Sequence, residues 1–248
     1  MNEAKRMNIL GVPVDMVSNA GAMELFRGIF DMPGCSLIVT PNSEIVLNAS
    51  SDAALKSLIG GAELIIPDGV GLVYASRILK NPLEERVTGF DFLSDILAYL
   101  QENGKSAFLL GSKPGVAESA AENMKLKYPG LVIAGTHHGY FSDGDESGIV
   151  CDINDSGAEF LCAALGSPKQ EKFIHKYREE FINVRAAMGV GGCLDVWSGA
   201  LKRAPAFYQR HGLEWLYRLF QEPKRIKRML KLPAFIVKVI IYGSGASA

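Results

Sequence analysis

Residues 64–78 read LIIPDGVGLVYASRI. The apolar run Leu64–Ile66 stops at Pro67, Asp68 follows at once, and Gly69-Val70-Gly71 leads into a segment with helical spacing. A short apolar run closed by turn residues and followed by a helical pattern is the strand–loop–helix unit of a parallel sheet. Asp68 has two readings in that unit. Asp is a preferred helix N-cap, and a helix follows. The end of a strand in such a sheet is also where a carboxylate meets a ligand.

The same unit recurs along the chain. Strand patterns cover Ile9–Val14, Ser36–Thr40, Glu63–Ile66, Ala107–Leu110, Leu131–Ala134, Glu159–Leu165 and Val184–Met188. Helical patterns lie between and after them, at Ala20–Phe30, Ser43–Ser50, Asp52–Ile59, Gly71–Leu79, Phe90–Gln101, Val116–Lys127, Glu146–Asn154, Pro168–Tyr177 and Cys193–Ser198. Alternation of this kind specifies an α/β fold, a Rossmann-like, mostly parallel sheet flanked by helices. There is no internal repeat and no low-complexity segment.

The strand ends are polar or glycine-rich. They read Thr40-Pro41-Asn42, Pro67-Asp68-Gly69, Gly111-Ser112-Lys113, GTHHGYF from Gly135, Gly166-Ser167-Pro168-Lys169-Gln170, and GVGGCLD from Gly189. One rim of the sheet therefore offers glycines for close backbone approach and helix N-termini for phosphate, as a nucleotide cleft requires. The common phosphate signatures are not met. Tyr74 stands where the third glycine of GxGxxG belongs, and GxxxxGK[ST], GxSxG and HExxH do not occur.

Several features have plain structural readings. Asp143-Gly144-Asp145 is formally a DxD metal–diphosphate signature, but Ser142 and Asp145 fit a helix-capping pattern. His137 and His138 are adjacent, so on an extended segment they face opposite ways and at most one reaches a site. Thr40 and Asn42 are capping candidates. Arg86 in EERVTGFDF fits a surface ion pair, and Gln170 fits the exposed first turn of a helix. The four cysteines form no CxxC pair and read as reduced thiols rather than a zinc site.

The 248 residues are 48% hydrophobic, enough for one sizeable core. No apolar run reaches the roughly 18–20 residues that span a bilayer, and the start MNEAKRMNILGV lacks a leader's apolar region. The net charge of −1 conceals a break. Residues 1–200 hold 16 Lys/Arg against 25 Asp/Glu, whereas residues 201–240 hold 10 Lys/Arg against only Glu214 and Glu222. From Leu201 the pattern is helical only, with Leu213, Leu216, Tyr217 and Phe220 on one face. This basic tail reads either as helices packed on the sheet or as an amphipathic appendage for an anionic surface. The division placed by composition is an α/β domain over 1–200 and a helical appendage over 201–248.

The segments TPNSEIV, IPDGVGLVYASR, ERVTGFDF, LLGS, GTHHGYF, ALGSPKQEKFI, MGVGG and KRAP…GLEWLYRLFQEPKR occur in that order. On them the chain resembles the WecG/TagA/CpsF glycosyltransferase family, closest to its TagA branch. The resemblance implies a compact α/β fold of the GT-E type with a membrane-associating appendage. It implies inverting, metal-independent transfer of N-acetylmannosamine from UDP-N-acetylmannosamine to the GlcNAc of an undecaprenyl-diphosphate lipid, in wall teichoic acid linkage synthesis. The location would be cytoplasmic, peripheral on the inner membrane face, with no cofactor and no nucleic acid partner. A homo-oligomer is expected in solution, since an undocked tail exposes apolar surface.

Residue by residue, Asp68 matches the family's proposed base, and Thr40 and Asn42 match the adjoining motif. Arg86 and Gln170 match residues lining the pocket, and Arg218, Arg225 and Arg228 match appendage arginines that meet phosphate. Position at strand ends adds Gly111, Ser112, Gly166, Ser167, Gly191, Gly192 and Asp195 as nucleotide contacts. A chain ended near Lys202 is expected to stay folded and lose transfer. Competing readings are a family member with another UDP-sugar donor, a nucleotide-sugar hydrolase, and a non-catalytic basic scaffold.

Overall fold

The computed structural model describes residues 4–223, 226 and 231–242. Arg225 and Arg228 lie outside the described residues. The strands are β1 (Arg6–Ile9), β2 (Val12–Asp15), β3 (Ser36–Val39), β4 (Leu64–Ile65), β5 (Ser106–Gly111), β6 (Val132–His137), β7 (Phe160–Ala164) and β8 (Ala186–Gly189). The helices of the α/β body are α1 (Asn19–Phe30), α2 (Ser43–Ala49), α3 (Ala53–Gly60), α4 (Val70–Ile78), α5 (Gly89–Glu102), α6 (Val116–Lys127), α7 (Glu146–Asp155), α8 (Lys169–Tyr177) and α9 (Cys193–Trp197). Three more follow, α10 (Ala206–Arg210), α11 (Glu214–Gln221) and α12 (Lys231–Tyr242).

Six strands form one parallel sheet in the order β4-β3-β8-β7-β5-β6. All five residues of β7 and all four of β8 are buried, as continuous apolar runs covered on both faces must be. One face carries α2, α3, α4, α7 and α8, packed on Leu37, Val39, Leu161 and Ala187. The other carries α1, α5, α6 and α9, packed on Ile38, Leu109, Cys162 and Met188. Phe26 of α1 meets Phe92 and Phe160 edge to face there. Each such buried side chain contributes about 1.5–3 kcal/mol relative to exposure.

The expected strand Ile9–Val14 is instead a hairpin. β1 and β2 pair antiparallel around Leu10-Gly11, whose φ angles are 55° and 85°. Two central residues at positive φ make the tight turn that suits the strand twist, and Asn8 Oδ1 accepts from Gly11 N–H at 2.7 Å. Leucine in the first of those positions hides the turn inside an apolar run.

The tail does not stand apart throughout. α12 packs against α2 and α4, burying Phe235 and Val239 in the same cluster as Val46 and Leu72. Lys231 Nζ donates to Glu44 Oε1 and Asn48 Oδ1, and Lys238 Nζ donates to Ser50 Oγ. Val237, Ile240, Ile241 and Tyr242 remain exposed on the outer side. Ending the chain near Lys202 therefore strips two core residues from α2 and α4. Such a truncation is expected to melt several degrees below the full chain, by the cost of exposing those side chains; thermal melting of the two proteins checks it. Among the described residues no helix is long and apolar enough to cross a membrane.

Candidate active site

The chain leaves β3 for α2 on one face of the sheet and leaves the neighbouring β8 for α9 on the other. Adjacent strands whose loops part in this way open a crevice at their carboxyl ends, where open α/β sheets bind ligands. Thr40 spans that crevice, its Oγ1 donating to the Gly189 carbonyl at 3.3 Å.

Asp68 sits at the same rim. Its N–H donates to the Pro41 carbonyl at 3.0 Å, and its backbone bridges to Val87. It does not cap the helix that follows: α4 is entered through Gly69 at φ 87°, with no side-chain cap. Instead Asp68 Oδ1 accepts from the N–H of Gly89, the first residue of α5, at 3.3 Å. Thr88 caps α5 by accepting from Asp91 N–H, so its first turn is fixed and Gly89 can address Asp68. A Cβ on Gly89 would lie 3.3 Å from Thr40 Oγ1, which places Thr40 against the same point.

Asp68 is half-buried at this rim. Burial pushes its carboxyl up to about 6. The Gly89 N–H and the guanidinium groups of Arg86 and Arg218 pull it down, while Glu214 adds to the rise. A carboxyl with that value is mostly ionised at neutral pH and accepts a proton better than an ordinary aspartate.

Arg86 and Arg218 join the α10–α11 segment to the body. Arg86 Nη1 donates to the Gln209 carbonyl at 2.8 Å, and Nη2 pairs with the Glu214 carboxylate. Arg86 Nε is buried with no hydrogen-bond partner among the described residues. Arg86, Gln209 and Glu214 line a cleft of about 450 Å³ together with Val70, Tyr74, Arg77, Thr88, Arg210 and His211. Arg218 Nη2 donates to the Gly192 carbonyl at 3.3 Å. Asp68 is thus influenced both by Arg86, which lines this cleft, and by Arg218, which reaches the glycine loop after β8.

Those loops are brought together, but their glycines serve one another before any ligand. Gly111, at φ 131°, lacks a side chain because a Cβ would lie 2.4 Å from the Ala164 carbonyl oxygen. Ser112, at φ 58°, donates its N–H to that carbonyl and accepts from Gly139. Its side chain also bonds Asp195. Burial raises the Asp195 carboxyl, with Ser112 the first of the groups opposing it. The N–H groups of Gly166 and Gly191 both donate to Gln170 Oε1, at 3.2 and 3.1 Å, so neither points at a phosphate. Ser167 follows Gly166 on the same loop, joined to Pro168 by a cis bond.

One expectation changes here. Gln170 is not an exposed first-turn residue but is buried, with its amide engaged on both sides. Asn42 is the cap its sequence position offered: it accepts from Glu44 and Ile45 N–H at the start of α2, so its carbonyl oxygen is committed to the helix end.

His137 and His138 correct a second. β6 ends at His137, the strand alternation stops there, and the two rings lie 4.7 Å apart lining one groove with Tyr140 and Asp145. Asp145 Oδ2 accepts from Ser142 N–H and Oγ–H at 2.9 and 2.7 Å, the capping arrangement read from the sequence. All four cysteines are free thiols, and burial pushes Cys35 and Cys193 up to about 12.

Three contributors escape a reading of the sequence. Gly89 is 21 residues from Asp68, though Thr88-x-x-Asp91 in ERVTGFDF is a cap signal that marks its helix start. Glu214 and Gln209 lie in the tail and declare nothing until Arg86 reaches them.

Residues 7–247 match the model of the glycosyl transferase WecG/TagA/CpsF family. The chain belongs to this family. It is accordingly a glycosyltransferase. Relatives named N-acetylglucosaminyldiphosphoundecaprenol N-acetyl-beta-D-mannosaminyltransferase agree with that. The Bacillus spizizenii protein is 38% identical over 205 residues, covering 83% of this chain and 79% of its own. The Bacillus subtilis protein is 37% identical with the same coverage. The Staphylococcus aureus protein is 36% identical over 240 residues, 96% of this chain and 93% of its own.

Proposed function

We propose that this glycosyltransferase moves N-acetylmannosamine from UDP-N-acetylmannosamine to the GlcNAc of an undecaprenyl-diphosphate lipid, with inversion and without a metal, as a step of wall teichoic acid linkage synthesis. The observation that carries the reading is the Asp68 carboxyl, raised to about 6 and held by Gly89 N–H between two arginines and the polar strand ends. The names of the relatives supply the acceptor and the sugar.

In the reaction, Asp68 takes the proton of the acceptor 4-hydroxyl as its oxygen attacks the anomeric carbon of the donor. The bond from that carbon to UDP breaks, and its electron pair goes to the β-phosphate oxygen. One base on the face opposite the leaving group is what inversion needs. Charge growing on the phosphate needs donors aimed at it in a site shielded from water. Arg218 is suited to this by its bond to the Gly192 carbonyl beside the glycine loops. Arg225 and Arg228 are assigned the same task. Thr40 and Arg86 are assigned to the acceptor sugar and its diphosphate, and Asp195 with Ser112 to the nucleoside end. The carboxylate of Asp145, bound by Ser142, supports the metal-free reading. The exposed Val237, Ile240, Ile241 and Tyr242 beside a basic tail support attachment to the inner membrane face.

The raised carboxyl sets the pH dependence. Asp68 must be ionised to act, so kcat/KM is expected to hold above about pH 6 and to fall roughly tenfold per unit below it. A pH–rate profile with the UDP-sugar and a GlcNAc-diphosphate-lipid analogue checks this. An acid limb near 4, the ordinary aspartate range, would remove the raised carboxyl from the mechanism. Competition among UDP-sugars in the same assay tests the donor.

A further inference from the structure

Gln170 and Glu171 stand side by side in the first turn of α8, and both side chains are buried. Gln170 Oε1 accepts from Gly166 N–H on the loop after β7 and from Gly191 N–H on the loop after β8. Gln170 Nε2 donates to Glu171 Oε1 at 3.0 Å. An amide has nearly the same shape either way round, so only its partners fix its orientation. Two N–H donors on one side require oxygen there. The carboxylate on the other side requires the amide nitrogen. Turned over, the amide would set nitrogen against two donors and oxygen against a carboxylate, leaving buried polar groups unpaired. The amide has little freedom to move aside: a Cβ on Gly189 would lie 2.4 Å from Nε2.

Burying a carboxyl is costly, and burial pushes Glu171 above its usual range. A side chain kept at that cost, bonded to the amide of Gln170, has an orienting task. We infer that Glu171 is a positioning residue: it locks Gln170 in the one orientation that ties the Gly166–Ser167 loop to the Gly191–Gly192 loop, and so sets the slot that receives the diphosphate of the nucleotide donor. The identity of that ligand rests on the proposed use of a UDP-sugar. Glu171 touches no ligand itself. It acts through Gln170.

The pair can be exchanged. In Gln170→Glu, two carboxylates face each other and the clamp opens. In Gln170→Glu with Glu171→Gln, the carboxylate accepts from Gly166 and Gly191, and the new amide donates to it, so the bonds of the pair to each other and to the two glycines are remade with the roles reversed. Two readouts follow on the full chain. Hydrogen exchange over residues 163–170 and 187–195 of the ligand-free protein reads the clamp directly. Calorimetric titration with UDP reads its consequence.

Gln170→Glu and Glu171→Leu are each expected to speed exchange in both segments and to raise the Kd for UDP by about tenfold, the effect of unpairing one buried polar group. The exchanged pair is expected to return both readouts to within about threefold of the original protein. A passive structural role would not be restored by reversing two polar residues. If the exchanged pair behaves like Gln170→Glu alone, the inference fails. It fails also if Glu171→Leu folds with unchanged exchange and UDP binding. Should Glu171→Leu not fold, the exchanged pair decides. If the original protein binds no UDP, the functional reading falls, and the exchange measurement still decides the clamp.

Discussion

Asp68→Asn is expected to lower kcat for glycosyl transfer by about 10²–10⁴, the range a positioned general base contributes. The protein should at the same time melt higher at pH 7–8. The Asp68 carboxyl titrates at about 6 in the fold against 3.8 as an ordinary side chain. The folded state therefore binds the proton more tightly. That contribution to stability is complete below about pH 4 and is lost as pH rises through 6. Above it, holding the ionised group costs about 1–3 kcal/mol, which the neutral amide relieves. Asparagine retains an oxygen for Gly89 N–H, so the loops should stay in place. Steady-state kinetics and melting curves taken across pH 4–8 check both halves. An inactive variant with a lower melting temperature would point to a structural role for Asp68. An active variant would remove it as the base.

Gly111→Ala carries the second large effect, and its sign separates two uses of glycine. At a strand end in this kind of sheet, glycine allows close approach of a phosphate. Here a Cβ on Gly111 would meet the Ala164 oxygen at 2.4 Å and its carbonyl carbon at 2.5 Å, on a residue at φ 131°. Strain at that φ and a backbone clash together are expected to cost about 3–5 kcal/mol. Denaturant unfolding should show a clear loss of stability, with UDP binding weakened as the loop after β5 shifts. A variant of normal stability that loses only UDP binding would return Gly111 to direct ligand contact.

Much of the fold and part of the site were legible in the sequence, for reasons that can be named. β7 and β8 are buried on both faces and so read as continuous apolar runs. The polar strand ends read as a rim because they interrupt those runs. Ser142 and Asp145 announced their cap by a spacing that local geometry alone decides. What failed depends on contacts distant in the chain or on special backbone. The β1–β2 hairpin was hidden because Leu10 occupies a positive φ that leucine seldom adopts. Of the two readings of Asp68, the cap of α4 is the one that fails: its partner is the start of α5. Gln170 read as exposed, since a glutamine in a first helical turn shows no sign of two glycine N–H groups from other loops. The histidine pair read as opposed because the end of β6 could not be placed to the residue. The basic tail left two readings open, packed helices or an amphipathic appendage, because the burial of Phe235 and Val239 in α12 depends on α2 and α4 being there to receive them.

The most direct test of the central claim is turnover of UDP-N-acetylmannosamine with a GlcNAc-diphosphate-lipid analogue in the presence of EDTA, reading UDP release and the anomeric configuration of the lipid product. The account predicts one UDP released per sugar transferred, an inverted linkage, and an undiminished rate in EDTA. A retained linkage, or activity that returns only on adding a divalent cation, would contradict it.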